Sequence, residues 1–143
     1  MRKKKVVYAV GVFDLFHRGH LSFLKKAKKL GDKLIVAVNG DELVGKYKRK
    51  PFFNEKDRLE IIKALKIVDK AFIIKEFDNK PYLKKYKVDI IVHGDDWDEE
   101  SYMEQIRVDK KFLKENRIEL VFVPYTKGIS TSELIRRIRE CKD

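Results

Sequence analysis

Apolar residues follow two alternating rhythms along this chain. Val6–Val10 closed by Gly11, Leu34–Val38, Ala71–Ile74, Asp89–Val92 and Leu120–Val123 are short, almost unbroken apolar runs. Their length and β-branched content are those of strands buried on both faces. Between them the apolar positions spread to helical spacing. Leu21, Leu24, Ala27 and Leu30 predict a helix from about Gly19 that Gly31 stops, and Leu59, Ile62 and Leu65 predict another from about Asn54. A weaker helix is expected around Pro81–Tyr86, a long one over 101–116 with Ile106, Phe112 and Leu113 inward, and a last one from about Thr131 to Glu140. Residues 41–53 show neither rhythm and read as an irregular basic loop. Strands alternating with helices imply parallel pairing through right-handed crossovers. The expected fold is therefore α/β, a Rossmann-like three-layer sandwich with a five-stranded parallel sheet. With 143 residues, 43% of them hydrophobic, it fits a single domain over 1–143.

In such a sheet, ligands sit beyond the carboxyl ends of the strands, at the topological switch point. The segments delivered there are Gly11–His20, Asn39–Phe53, His93–Trp97 and Pro124–Ser132. Charge then narrows the ligand class. Lys and Arg number 34 against 23 Asp and Glu, a net +11, which suits an anionic partner. Nucleic acid would need cations spread along an extended face, whereas a small polyphosphate needs a few aimed into one cleft. Many lysines, such as Lys25-Lys26 and Lys28-Lys29, belong to a solvated helix face. Cys141 is the only cysteine, which excludes an intrachain disulfide and is compatible with a reducing compartment. No apolar run approaches the ~20 residues that span a bilayer. With no signal-peptide pattern at Met1–Lys5, a cytoplasmic location and no membrane partner are expected.

Gly11–His20 holds two of the three histidines within four residues, where a strand gives way to a helix. His17 and His20, three apart at a helix start, can face one side together. Gly19 between them allows close backbone approach, and the helix N-terminus adds free N–H groups suited to phosphate. Imidazole supplies directional donors where charge develops on a transferring phosphate. Gly128-Ile129-Ser130-Thr131-Ser132 precedes the last apolar-periodic helix. Its hydroxyls either cap that helix or hold phosphate. Lys46-Tyr47-Lys48-Arg49-Lys50 carries four cations in five residues. Arg58 is either a further ligand or a surface charge. Asp95 and Asp96 are adjacent, so one of them is expected in the site, with Trp97 against a ligand or in the core.

The GVFDLFHRGH segment resembles the HxGH signature of the cytidylyltransferase branch of the nucleotidyltransferase superfamily. GISTS at 128–132 resembles that branch's second signature, and GDDW at 94–97 is similar to a segment of glycerol-3-phosphate cytidylyltransferases. The resemblance implies CMP transfer from CTP to a phosphorylated small molecule, first sn-glycerol 3-phosphate, giving CDP-glycerol and pyrophosphate. Phosphocholine, phosphoethanolamine or a phosphonate compete as acceptor, and FMN adenylyltransferase is an alternative within the superfamily. A different class, a non-catalytic basic nucleotide- or RNA-binding module, would show basic residues interleaved with exposed aromatics. The resemblance makes His17 and His20 catalytic. Gly11, Val12, Phe13, Gly19, Lys48, Asp96, Thr126, Gly128, Ile129, Ser130 and Thr131 join those histidines in binding nucleotide, and Asp14, Lys46, Arg58 and Trp97 bind the acceptor. It implies Mg²⁺ bridging phosphates with few protein ligands, a homodimer, and no nucleic-acid partner. One departure stands out. The arginine that commonly precedes the Thr of the second signature is Tyr125 here, and a phenol cannot replace a guanidinium fork. Lys127, Arg18 or Lys48 are the candidates to supply that charge.

Overall fold

The structure, a computed structural model, describes residues 3–94 and 98–142. Five strands, β1 (Val6–Gly11), β2 (Lys33–Asn39), β3 (Lys70–Ile74), β4 (Ile90–Gly94) and β5 (Glu119–Val123), form one sheet in the order β3-β2-β1-β4-β5. Every pairing is parallel. The chain builds outward from β1 through β2 to β3, then returns to the other side of β1 for β4 and β5. The order reverses between β1 and β4, and that is where such sheets bind ligands.

The helices are α1 (Arg18–Lys29), α2 (Asp41–Gly45), α3 (Glu55–Lys63), α4 (Lys80–Lys85), α5 (Glu99–Gln105), α6 (Lys110–Glu115) and α7 (Thr131–Glu140). Alternate strand residues feed two cores, as the period of two requires. Tyr8, Ile35 and Ile91 pack with Leu83, Tyr102, Met103 and Leu113 on one face of the sheet. Val7, Ala9, Leu34 and Val36 pack with Leu24 and Ala27 of α1 and Ile62 of α3 on the other. At the amino edge of the sheet, three aspartates that precede strands accept main-chain N–H groups of a neighbouring strand or its lead-in. Asp32 accepts from Lys5, Asp69 from Leu34 and Asp89 from Val6, at 2.7–2.9 Å. Gly31 lies where a Cβ would sit 2.7 Å from Val7 Cγ2, so the turn after α1 packs directly on β1. Among the described residues, no helix is long and apolar enough to cross a membrane.

Two expectations change. Residues 41–53 are not wholly irregular, because Leu43 and Val44 are buried and draw the chain into the short helix α2. The single helix over 101–116 is two helices, α5 and α6. Arg107 adopts a left-handed conformation (φ 62°) and Val108 turns into the core. Asp109 then starts α6 anew, its carboxylate accepting from Phe112 N at 2.8 Å. A periodicity summed across both helices hides that break.

Candidate active site

A cleft of about 680 Å³ opens over the carboxyl ends of β1 and β4. A ligand of nucleotide size fits such a volume. Its floor is Val10–Phe13, one rim is the His17–His20 turn, and Tyr125, Thr126 and Ile129–Ser132 line it beside that turn.

The β1–α1 connection is wound tightly. Phe13 (φ 54°) and Leu15 (φ 51°) are both left-handed, a conformation that costs energy in residues bearing a Cβ. Asp14 between them holds this geometry. Its buried carboxylate accepts from Phe52 N (2.8 Å), Phe53 N (3.0 Å) and Leu15 N (3.1 Å), and pairs with Arg49 (3.3 Å). Burial alone would raise its pKa. The amide hydrogen bonds from Phe53 and Phe52, with Arg49, outweigh that and lower it. Asp14 therefore fastens the 46–53 loop to the histidine turn, and its oxygens are already engaged. Asp14 also lines the cleft, beside the histidine turn.

His17 and His20 come together as their spacing implied. Their rings stack with centroids 3.9 Å apart, and Phe16 stacks on the far side of His20 at 5.4 Å. The backbone fixes both tautomers. Gly19 N donates to His17 Nδ1 at 3.0 Å, and His17 N donates to His20 Nδ1 at 3.1 Å. A nitrogen that accepts an amide proton carries none of its own, so in the neutral rings both protons reside on Nε2. This is a capping box in which two imidazoles take the usual places of Ser and Glu. Gly19 is required, because a Cβ there would lie 2.7 Å from His17 Cε1. Burial, followed by repulsion from His17, moves the His20 pKa down to about 4, with Asp14 opposing and Lys48 adding to the shift. His17 is lowered by burial and by Arg18. Both rings are neutral donors at pH 7.

The second motif closes on the first. Thr131 Oγ1 lies 3.3 Å from His17 Nε2 across 114 residues of sequence. Given the tautomer above, the ring donates to the hydroxyl. Ser130 caps α7 by accepting from Glu133 N at 3.1 Å. Ser130 thus caps the helix while Thr131 meets His17, and both line the cleft. Thr126 and Ile129 line the cleft, while Gly128 (φ 88°) is exposed at the turn outside its wall. Gly11, Val12, Phe13, Gly19 and Lys48 also line it.

Arg58 is neither a ligand nor a surface charge. It is 1% exposed, and its guanidinium donates to Phe53 O (3.0 Å), Val12 O (2.9 Å) and Asn39 O (2.7 Å) and pairs with Asp41 (2.7 Å). It ties three cleft loops together from behind, so it cannot serve as the acceptor ligand expected from sequence. Lys46 is exposed and stands outside the cleft wall, as do Arg18 and Lys127. Of the three cations considered as a replacement for the missing arginine, Lys48 alone reaches the cleft, and Arg49 is a wall residue that sequence reading did not choose. Asp96 and Trp97, with Asp95, lie outside the described residues. Tyr47 and His93, within segments expected at this edge, are walls without a role assigned from sequence, and the structure adds Phe77, Asn79 and Tyr102, which lie outside those segments. Apolar and aromatic positions of this kind look like core in a sequence.

Comparison with known proteins agrees with this geometry. The family model described as cytidylyltransferase-like matches residues 8–137. The FAD synthase of Methanothermus fervidus is 40% identical over 141 residues, 94% of each protein. The bifunctional protein HldE of Helicobacter pylori strain Shi470 is 37% identical over 144 residues, 99% of this chain. The chain spans only 29% of that relative's length. Among solved structures, the lipopolysaccharide core biosynthesis protein from Thermoplasma volcanium superposes with a TM-score of 0.75 at 34% identity, covering 87% of this chain and 100% of that one.

Proposed function

This chain belongs to the cytidylyltransferase-like family, and from that premise we propose that it transfers CMP from CTP to a phosphate oxygen of a small acceptor, first sn-glycerol 3-phosphate. The observation that carries the reading is the convergence of His17, His20 and Thr131 on one cleft, with both imidazole protons held on Nε2. An oxygen of the acceptor phosphate attacks the α-phosphorus of CTP in line. The new P–O bond forms as the bond to the bridging oxygen breaks, and pyrophosphate leaves with the electron pair. The acceptor is already ionised at pH 7, so no protein base is needed, and the chain contributes position and charge stabilisation. His17 and His20 aim neutral N–H donors at the pentacoordinate α-phosphate, and the amino ends of α1 and α7 add main-chain N–H groups. Lys48 offsets charge on the triphosphate. Mg²⁺ supplied with CTP would offset triphosphate charge beside Lys48. Such a reaction draws on cytoplasmic CTP. The homodimer implied by the resemblance is part of the same reading, and sedimentation of the purified chain tests it.

A second reading, adenylyl transfer from ATP to FMN, is favoured by one observation. The FAD synthase relative matches almost end to end. Aromatic walls at Tyr47, Phe77 and Tyr102 would also accept a flat ring system. Initial rates of pyrophosphate release, with CTP and ATP each paired with sn-glycerol 3-phosphate, phosphocholine, phosphoethanolamine and FMN, separate the two. Turnover with CTP and a small phosphorylated acceptor supports the first. Turnover confined to ATP and FMN replaces it with the second.

A further inference from the structure

His93 is the histidine outside the HxGH turn, and nothing in the transfer described above uses it. It lies at the carboxyl end of β4, is only 4% exposed, and nevertheless forms part of the cleft wall. Tyr102 of α5 stacks on it with ring centroids 4.3 Å apart and planes 18° from parallel, and Phe122 lies beyond at 6.0 Å. The ring is held firmly in one orientation. Its Nδ1 lies 2.8 Å from Gly94 O. A carbonyl oxygen can only accept, so Nδ1 must carry the proton, and in the neutral ring Nε2 presents a lone pair. This is the opposite tautomer to that of His17 and His20. Among the described residues, Nε2 has no hydrogen-bond partner, whereas Nδ1 is engaged. An acceptor that a bound ligand covers without a donor costs free energy, and this one belongs to the wall of a cleft built for a ligand.

We infer that His93 is a substrate-binding residue whose Nε2 accepts a hydrogen bond from a substrate hydroxyl. The cleft then holds two kinds of imidazole. On the α1 side, N–H donors meet phosphate; on the α5 side, a lone pair meets an O–H group. The position fits no anion, since an Nε2 lone pair would repel a phosphate oxygen. It selects hydroxylated substrates, because a deoxy analogue would leave Nε2 covered and unsatisfied. The hydroxyl comes from the ribose of the nucleotide or from a polyol acceptor, and the two sources separate by experiment. This inference deepens the proposed transfer and takes that reaction as its premise.

The full chain labelled with ¹⁵N-histidine, observed by long-range proton–nitrogen correlation, reads each ring's tautomer directly. The His93 signals are identified by their loss in His93→Gln. In the free protein, His93 should show its proton on Nδ1, with His17 and His20 showing theirs on Nε2. The protein is then titrated with Mg²⁺–CTP, Mg²⁺–2′-deoxy-CTP, Mg²⁺–3′-deoxy-CTP, sn-glycerol 3-phosphate and propyl phosphate. A hydroxylated probe should move the His93 Nε2 resonance, and its deoxy counterpart should not. A response that differs between CTP and its deoxy forms places the hydroxyl on ribose. One that differs between glycerol phosphate and propyl phosphate places it on the acceptor. In kinetics, His93→Phe keeps a flat ring against Tyr102 but removes the acceptor. It should raise KM for the hydroxylated substrate about three- to tenfold and leave KM for the deoxy analogue unchanged. His93→Gln, which restores an oxygen acceptor, should recover part of the loss. A proton found on Nε2 in the free protein, or no Nε2 response to any hydroxyl-bearing probe, overturns the inference. Pyrophosphate release by the unmodified protein is scored separately. An Nε2 response without turnover refutes the transfer reaction alone, and turnover with a silent Nε2 refutes only the role of His93.

Discussion

Acid should destabilise this protein through His20 before it does so through any carboxylate. The folded ring has a pKa of about 4 against an ordinary value of 6.5, because burial and the stacked His17 both disfavour its charged form. The unfolded chain therefore takes up a proton that the native state refuses. Above pH 6.5 neither state is charged and His20 costs nothing. As pH falls from 6.5 to 4 the unfolded state gains progressively, and below 4 the penalty is complete. Two and a half pH units at about 1.4 kcal/mol each set a limit of about 3.5 kcal/mol, of which about 3 kcal/mol is reached by pH 4, where the folded ring is half protonated. Asp14, Asp69 and Asp78 have lowered pKa values, so their stabilising contributions are lost below about pH 4, outside this window. His17 shares the window, which is why the comparison must be with His20→Asn. Urea unfolding at about pH 7, 5.5 and 4 should give the unmodified protein about 3 kcal/mol more loss than the variant over that span. Parallel pH profiles for the two proteins would refute the assignment of a buried, proton-refusing ring.

Three further outcomes follow from particular contacts. Arg58→Met should cost about 3–5 kcal/mol in urea unfolding, since it strands three carbonyls and Asp41 behind the cleft; a loss below about 1 kcal/mol would contradict that tie. Gly19→Ala pushes a Cβ against His17 Cε1 at 2.7 Å, and should lower kcat by ~10²–10³ while leaving circular dichroism unchanged. An active Gly19→Ala protein would show that the ring position is not needed. Lys48→Ala should raise KM for Mg²⁺–CTP with a smaller change in kcat, the pattern of a contact made equally in ground and transition states, whereas Lys127→Ala should match the parent. The reverse pattern would return the missing arginine's role to Lys127.

The sheet was legible because each strand is a compact apolar run. Strands β1 and β2, central and buried on both faces, leave little room for polar substitutes, whereas edge strand β5 is part-exposed, with Phe122 65% exposed. The histidine turn was legible for a different reason. Its chemistry is local, with a capping box, a glycine that a ring covers and a helix start all within four residues. What escaped depended on long-range contacts. Arg58 looks like any helix-surface arginine until Val12, Asn39 and Phe53 are seen to aim carbonyls at it. Asp14 gives no sign of holding the 46–53 loop until that loop folds over it. The break between α5 and α6 turns on the left-handed Arg107, which carries no glycine to announce it. His93 fell in the His93–Trp97 segment expected at the ligand-binding edge of the sheet, but a single histidine with no motif around it gave no role, which only its contacts with Gly94 and Tyr102 suggest.

Nucleotide transfer in this cleft, with His17 and His20 as neutral donors, can be followed directly. Its most direct test supplies CTP labelled at the α-phosphorus, with Mg²⁺ and sn-glycerol 3-phosphate, to the unmodified chain and to His17→Ala and His20→Ala. Label should pass from CTP into a CMP-bearing product with stoichiometric pyrophosphate. Each variant should lower kcat ~10²–10³-fold while CTP binding changes little. Label that stays in CTP with every phosphorylated acceptor tried, or full turnover in either histidine variant, would contradict it.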